Sequence, residues 1–117
     1  VATSTSRRIY ILHFDRPFSH AKHYVGSADN VSLRVLEHAT GRGANLMRHV
    51  VGAGIGFIVS CTFPGTRGDE RIMKKRWKDV AKRRCPVCSG KLTYDQAKRR
   101  YRSNRVLENL FSKKRSE

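Results

Sequence analysis

No apolar run in this sequence approaches the roughly 20 residues that a membrane-spanning helix needs. No apolar stretch of signal-peptide type stands near Val1 either. The chain starts at Val1 without an initiator methionine, as a trimmed chain would. Cysteine is scarce: there are 3. Two of them fall in Cys85-Pro86-Val87-Cys88, so a disulfide framework is not expected. Reduced thiols in a cytoplasmic setting are the simpler expectation. Acidic residues are also few for a charged chain, 9 against 25 Lys plus Arg, for a net charge of +16. An excess of that size over 117 residues predicts attraction to a polyanion, most often nucleic acid. The apolar fraction of 38% is modest, enough for one domain with a small core. There is no internal repeat.

The charge is unevenly spread. Residues 1–63 hold 7 basic and 3 acidic side chains, and residues 64–117 hold 18 and 6. The C-terminal half is therefore the expected electrostatic footprint, leaving the N-terminal half for more specific chemistry. Residues 1–7 read as a disordered lead-in. Arg8 to Phe14 is β-branched and aromatic and reads as a buried strand. A loop from Asp15 to His20 leads to a second strand, Lys22 to Gly26. Asp29 or Asn30 can cap a helix to about His38, and Gly41 or Gly43 can close it in the left-handed conformation. Asn45 to Val51 fits a short second helix. The continuous apolar run from Ile55 to Phe63 is the clearest strand and predicts a central place in the sheet. Asp69 can cap one helix over Glu70–Arg83, with Ile72, Met73, Trp77 and Val80 inward. Cys85-Pro86 stops it. Thr93 to Phe111 reads as one further helix, followed by a charged end. The fold class is α+β: a small three-stranded sheet flanked by helices over 8–84, then the Cys-x-x-Cys turn and a basic helical tail over 85–117.

The pattern that carries chemistry is a tyrosine on the first strand, Arg8-Ile9-Tyr10, and a second at the end of the next, Tyr24-Val25-Gly26. Arg34 follows that glycine by eight residues on the first helix, His38 lies one turn on, and Glu70 opens the helix after the third strand. In this order, on elements of these types, the residues resemble the GIY-YIG nuclease superfamily over roughly residues 8–83, with Arg8 where that family often has glycine. The resemblance implies an antiparallel sheet and a metal-dependent DNA endonuclease. Tyr10, Tyr24, Arg34, His38 and Glu70 would be its catalytic residues, and Glu70 the anchor for one Mg²⁺ or Mn²⁺. The chemistry is coherent on physical grounds. Phosphodiester hydrolysis needs an activated water and positive charge around the phosphate oxygens. Mg²⁺ takes only one or two carboxylates from a protein. Arginine suits a phosphate, and a tyrosine among cations can serve as base. Either Tyr10 or Tyr24 fits that last role.

Glu37 is a rival metal carboxylate but reads better as an ion-pair partner of Arg34 or His38. His20 and His23 hint at a metal, yet no tetrahedral set is evident among the histidines, and Cys85 with Cys88 makes only half a zinc knuckle. A tight turn with two free thiols is the preferred reading there, and His23 beside Tyr24 is a candidate aid to proton transfer. Cys61 is expected to be buried. Arg67, Arg71, Lys74, Lys75 and Lys78 form a basic face next to Glu70, suited to DNA phosphates, and Lys98, Arg99, Arg100, Arg102 and Arg105 extend it along the tail. A silent DNA- or RNA-binding module on the same fold is the main alternative, and a ribosome- or RNA-associated protein a weaker one. Targeting by a protein partner or a homodimer would suit so small a nuclease.

Overall fold

The computed structural model describes residues 7–116, without the side chains of 77, 78 and 113–116. Of the lead-in over 1–7, residues 1–6 lie outside the described residues, and Arg7, expected to be disordered, is held by a hydrogen bond to Ser27. Three strands, β1 (Arg8–Phe18), β2 (Ala21–Ala28) and β3 (Phe57–Pro64), form an antiparallel sheet in the order β2-β1-β3. Six helices surround it: α1 (Val31–Ala39), α2 (Asn45–Gly52), α3 (Arg67–Lys75), α4 (Trp77–Arg84), α5 (Tyr94–Arg99) and α6 (Arg102–Ser116). None of these helices is long and apolar enough to cross a membrane. The expected α+β class with a three-stranded antiparallel sheet is the observed one.

Strand alternation divides the core. On one face Tyr10, Leu12 and Phe14 pack with Val35 and Ala39 of α1, Met47 and Val50 of α2, and Leu107 of α6. On the other, Ile9, Ile11 and Val25 pack with Ala81 of α4, and Met73 and Val80 border them. Along β3 the pairing with β1 passes from Ile11↔Cys61 to Leu12↔Val59, so Ser60 is an extra residue. Its hydroxyl donates to the Ile11 carbonyl at 3.1 Å. The bulge turns the strand over: Phe57 and Val59 serve the first face, and Cys61 and Phe63 the second.

The run expected at the centre of the sheet is therefore an edge. β1 is central, and β3 is buried because α5 and α6 cover it. Asn104 of α6 completes its ladder like a fourth strand. The Val59 N–H donates to Asn104 Oδ1 at 2.7 Å, and Asn104 Nδ2 donates to the Val59 carbonyl at 3.0 Å. The Thr62 N–H donates to Tyr101 Oη at 3.2 Å. Covering an edge in this way removes the unpaired backbone groups that would otherwise template pairing with another chain. The segment after Cys85 thus contributes to the core of the sheet.

Local signals set the ends of the elements. Asn30 caps α1, its side chain accepting the Leu33 N–H at 3.0 Å, and Gly41 follows with φ of +80°, where a Cβ would be strained. The expected helix over Glu70–Arg83 is two helices. Thr66, not Asp69, is the cap of α3, in a capping box with Asp69 at the third position, and the chain breaks at Arg76. The break rotates the faces apart, so Ile72, expected inside, is 66% exposed while Ala81 is buried. The expected helix over 93–111 likewise divides, α5 ending at Arg99 and α6 starting at Arg102. β1 runs on through Pro17 to Phe18, so the link to β2 is only Ser19-His20, with Ser19 at φ of 56°. Cys61, expected buried, is half-buried.

Candidate active site

Four of the sequence-selected residues, Tyr10, Tyr24, Arg34 and Glu70, line one cleft of about 490 Å³, along with Arg7, Ser27, Asp29, Arg67 and Lys74. β1 and β2 bring in the tyrosines, α1 the arginine and α3 the glutamate and lysine. Gly26 makes the tyrosine pair possible. It stands opposite Tyr10 in the β1–β2 ladder, and a Cβ on it would lie 2.5 Å from Tyr10 Oη and 2.8 Å from Tyr24 Cε2. The rings lie over the bare backbone with centroids 6.3 Å apart.

His38 is fully buried behind Tyr10, its Nε2 2.7 Å from Tyr10 Oη. The Ala44 N–H donates to His38 Nδ1 at 3.3 Å. That contact fixes the tautomer: the neutral ring carries its hydrogen on Nε2 and donates it to Tyr10 Oη. The hydroxyl hydrogen of Tyr10 is then free to point elsewhere. The approach of Ala44 requires Gly43, since a Cβ there would collide with the His38 ring. Burial, then the charges of Arg34 and Lys74, lowers the His38 pKa to about 4. Burial, reinforced by the neighbouring Tyr24, raises that of Tyr10 well above the usual phenol range, despite Arg34 pulling the other way. Tyr10 therefore stays a phenol at neutral pH, which corrects the expectation that cations would ready it as a base. His38 supports Tyr10 from the core side of the cleft.

Glu70 is held from two sides. Ser27 Oγ donates to Glu70 Oε1, and Lys74 Nζ lies 3.0 Å from Glu70 Oε2. Burial raises its carboxyl pKa, but these hydrogen bonds and the charges of Lys74 and Arg7 outweigh burial, and the net shift is downward. Lys74 is shifted upward: its partial burial is outweighed by the hydrogen bond to Glu70 and by Tyr24. It also donates to Tyr24 Oη at 3.3 Å and sits 4.9 Å from that ring's centroid. Arg7 donates to Ser27 Oγ at 2.7 Å and lies 3.9 Å from Asp29. Arg34 pairs with Glu37 at 3.6 Å, so Glu37 is the ion-pair partner expected of it. Four cations thus face two carboxylates in the cleft, a balance suited to an anionic ligand. Its acidic and hydroxyl donors are all oxygen, the set that hard ions such as Mg²⁺ and Mn²⁺ take.

Arg67 lines the cleft, and Arg71 and Lys75 are exposed on α3. The side chain of Lys78 lies outside the described residues. A broader concavity of about 1000 Å³ runs along α5 and α6 and is lined by Lys98, Arg99, Arg100, Arg102 and Arg105. Sequence reasoning missed Arg7 and Ser27 as parts of the site around Glu70, and placed Lys74 on the DNA-binding face but not as the partner of Glu70 and Tyr24. The signal for Lys74 was its i,i+4 spacing from Glu70; Ser27 and Arg7 carried none.

A second cluster sits on the other face of the sheet. His13, His23, Cys85 and Cys88 bring one donor atom each to within 4.8 Å of one another, a set that could hold a metal ion. Nitrogen and sulfur donors favour soft or borderline metals over Mg²⁺. The partner of His23 is thus His13 and not His20, and the two thiols, expected to stand alone in a tight turn, have imidazole neighbours. His23 also points away from Tyr24 to the opposite face, which removes it from the proton-transfer role weighed for it. Compared with protein-family models, with curated proteins and with solved structures, the chain gives no match.

Proposed function

We propose that this chain is a divalent-metal-dependent endonuclease of the GIY-YIG type, cleaving phosphodiester bonds in DNA. The observation that carries the reading is the meeting of Tyr10, Tyr24, Arg34 and Glu70, drawn from four elements, in one cation-rimmed cleft. Glu70 would hold Mg²⁺ or Mn²⁺ through its carboxylate, with Asp29 and Ser27 as further oxygens nearby. Such an ion supplies Lewis acidity toward phosphoryl oxygens. Glu70 is ionised at neutral pH, as a ligand must be. Arg34 and Arg67 hold the phosphate and meet its growing negative charge. Tyr10, a phenol whose oxygen already accepts from His38, directs its own hydrogen to the water or the phosphate. Tyr24, whose oxygen lies 3.3 Å from Lys74 Nζ, is then the tyrosine that as its phenolate takes the proton of the water and becomes the neutral phenol. Arg71 and Lys75 track the DNA backbone beside the cleft.

Supercoiled plasmid tests this reading. Nicking should require Mg²⁺ or Mn²⁺ and stop with EDTA. Glu70→Gln and Arg34→Ala should each slow it by about 10²-fold or more, while DNA binding persists and weakens steeply with salt. If both variants nick as fast as the parent, the assignment is wrong. If the parent binds DNA and never cuts it with either metal, the chain is a silent binding module.

A further inference from the structure

We infer that His13, His23, Cys85 and Cys88 form a structural zinc site that staples the turn after α4 to the sheet. A tetrahedron with zinc–nitrogen and zinc–sulfur bonds of ordinary length has N···N edges of about 3.3 Å and N···S edges of about 3.6 Å. His13 Nδ1 and His23 Nε2 are 3.3 Å apart. His13 Nδ1 lies 3.5 Å from Cys85 Sγ and 3.6 Å from Cys88 Sγ, and Cys88 Sγ lies 3.2 Å from His23 Nε2. All four donors are within 4.8 Å of one another.

Hydrogen bonding does not explain this packing. An imidazole nitrogen offers one lone pair or one hydrogen in the ring plane, yet three neighbours converge on His13 Nδ1. A cation at the centre of the four satisfies every donor at once. The backbone is built for it too. His13 and His23 are directly opposed across the β1–β2 ladder. The Cys-Pro-Val-Cys turn folds on itself, with Ser89 N–H donating to the Cys85 carbonyl at 2.9 Å and Gly90 N–H to that of Val87 at 3.2 Å. Gly90 takes φ of +81°, a conformation that favours glycine. Two imidazoles and two thiolates close a four-coordinate shell and leave no position for substrate, so the role is structural. His23 and Cys85 are buried while Cys88 is exposed, which leaves a route for the ion. The site joins residues more than 60 positions apart in sequence and lies on the face away from the nuclease cleft. It stands or falls independently of the proposed activity.

The test is metal content and cobalt spectroscopy on the purified chain. Protein made in zinc-supplemented medium should carry one zinc per chain. The chelated protein should take up Co²⁺ with tetrahedral ligand-field bands and thiolate-to-cobalt charge transfer. Cys88→Ser, at the exposed ligand and least able to disturb folding, should lose the stoichiometric zinc and weaken the charge-transfer band. Cys61→Ser should keep both. Zinc well below one per chain in the parent together with no thiolate charge transfer on cobalt addition would overturn the site, and so would equal zinc in Cys88→Ser and parent. Alkylation of the folded parent gives a reading that needs no variant. Zinc should shield Cys85 and Cys88 from iodoacetamide until chelator is added, and unshielded thiols or a Cys85–Cys88 disulfide count against it.

Discussion

Replacing His38 by glutamine should remove most of an acid-sensitive stability from this protein. His38 is fully buried, accepts from the Ala44 N–H and donates to Tyr10 Oη, an arrangement that only the neutral ring can make. Burial, Arg34 and Lys74 all oppose its charge and bring its pKa from 6.5 to about 4. In the unfolded chain the ring takes a proton near its ordinary value. Between pH 6.5 and about 4 the unfolded state therefore binds more protons than the folded one, and stability falls as pH falls. The contribution is fully present above the upper value and gone below the lower. At 1.36 kcal/mol per pH unit, that window is worth about 3 kcal/mol. Against the roughly 5–15 kcal/mol by which a domain is stable in total, the loss is readily seen.

Urea unfolding of parent and His38→Gln across that window measures it. The variant keeps an uncharged donor toward Tyr10 and has nothing to titrate there. The two curves should converge by about 3 kcal/mol on acidification. Any acid sensitivity of the His13 cluster is common to both proteins and cancels in the difference. The stability that Glu70 gains from its lowered pKa is lost as pH falls below the ordinary 4.5, but it too is common to both proteins and cancels. Parallel profiles would refute the argument, because they would mean that His38 is charged in the folded state or that another group carries the acid sensitivity.

Two other changes probe the frame of the site. Gly26→Ala puts a methyl 2.5 Å from Tyr10 Oη; it should cost about 1–3 kcal/mol in unfolding and slow plasmid nicking by about 10²-fold by moving both rings. A variant as stable and active as the parent would show that the tyrosine pair needs no bare backbone beneath it. Asn104→Leu keeps the volume but orphans both the N–H and the carbonyl of Val59. It should cost about 3 kcal/mol and speed exchange of the Val59 amide, and unchanged exchange would deny Asn104 its place as the cover of the β3 edge.

The parts of the fold legible in the sequence were those set by local chemistry. Strand composition, the α1 cap and its left-handed glycine act within a few residues, and the last two fall on one of the two positions the sequence offers for each, Asn30 and Gly41. The breaks at Arg76 and near Arg100 were not legible, because lysine and arginine favour helix on both sides and nothing in the local pattern marks a stop. The edge position of β3 was hidden for another reason. A run buried by helices on an edge has the same composition as a run buried between strands. The tyrosines, Arg34 and Glu70 could be placed in order on their elements, but their approach rests on α3 lying alongside β2, which no spacing encodes. The His13–His23 pair is the clearest case. Counting back from Phe18↔Ala21 without irregularity puts residue 26 opposite His13. The observed partner is His23, because the pairing shifts between His13 and Phe18. Only with that shift do both imidazoles meet the turn that carries the cysteines.

The same shift explains how one small sheet presents two unlike donor sets without mixing them. It seats Tyr10 opposite Gly26 as well as His13 opposite His23, so one register decides both sites. Successive residues on a strand point to opposite faces, and His23 and Tyr24 are neighbours. Glu70 and Lys74 of α3 join the tyrosines in the cleft, and nitrogen and sulfur donors gather on the face behind. A soft ion on the thiolates would therefore not compete for Glu70, and a hard ion with its retained waters would find no suitable ligand among the imidazoles and thiols. Moving the register by one residue would turn His23 toward the cleft and Tyr24 away from it. The irregular stretch before Phe18 is in this sense the element on which the chemistry of both faces depends.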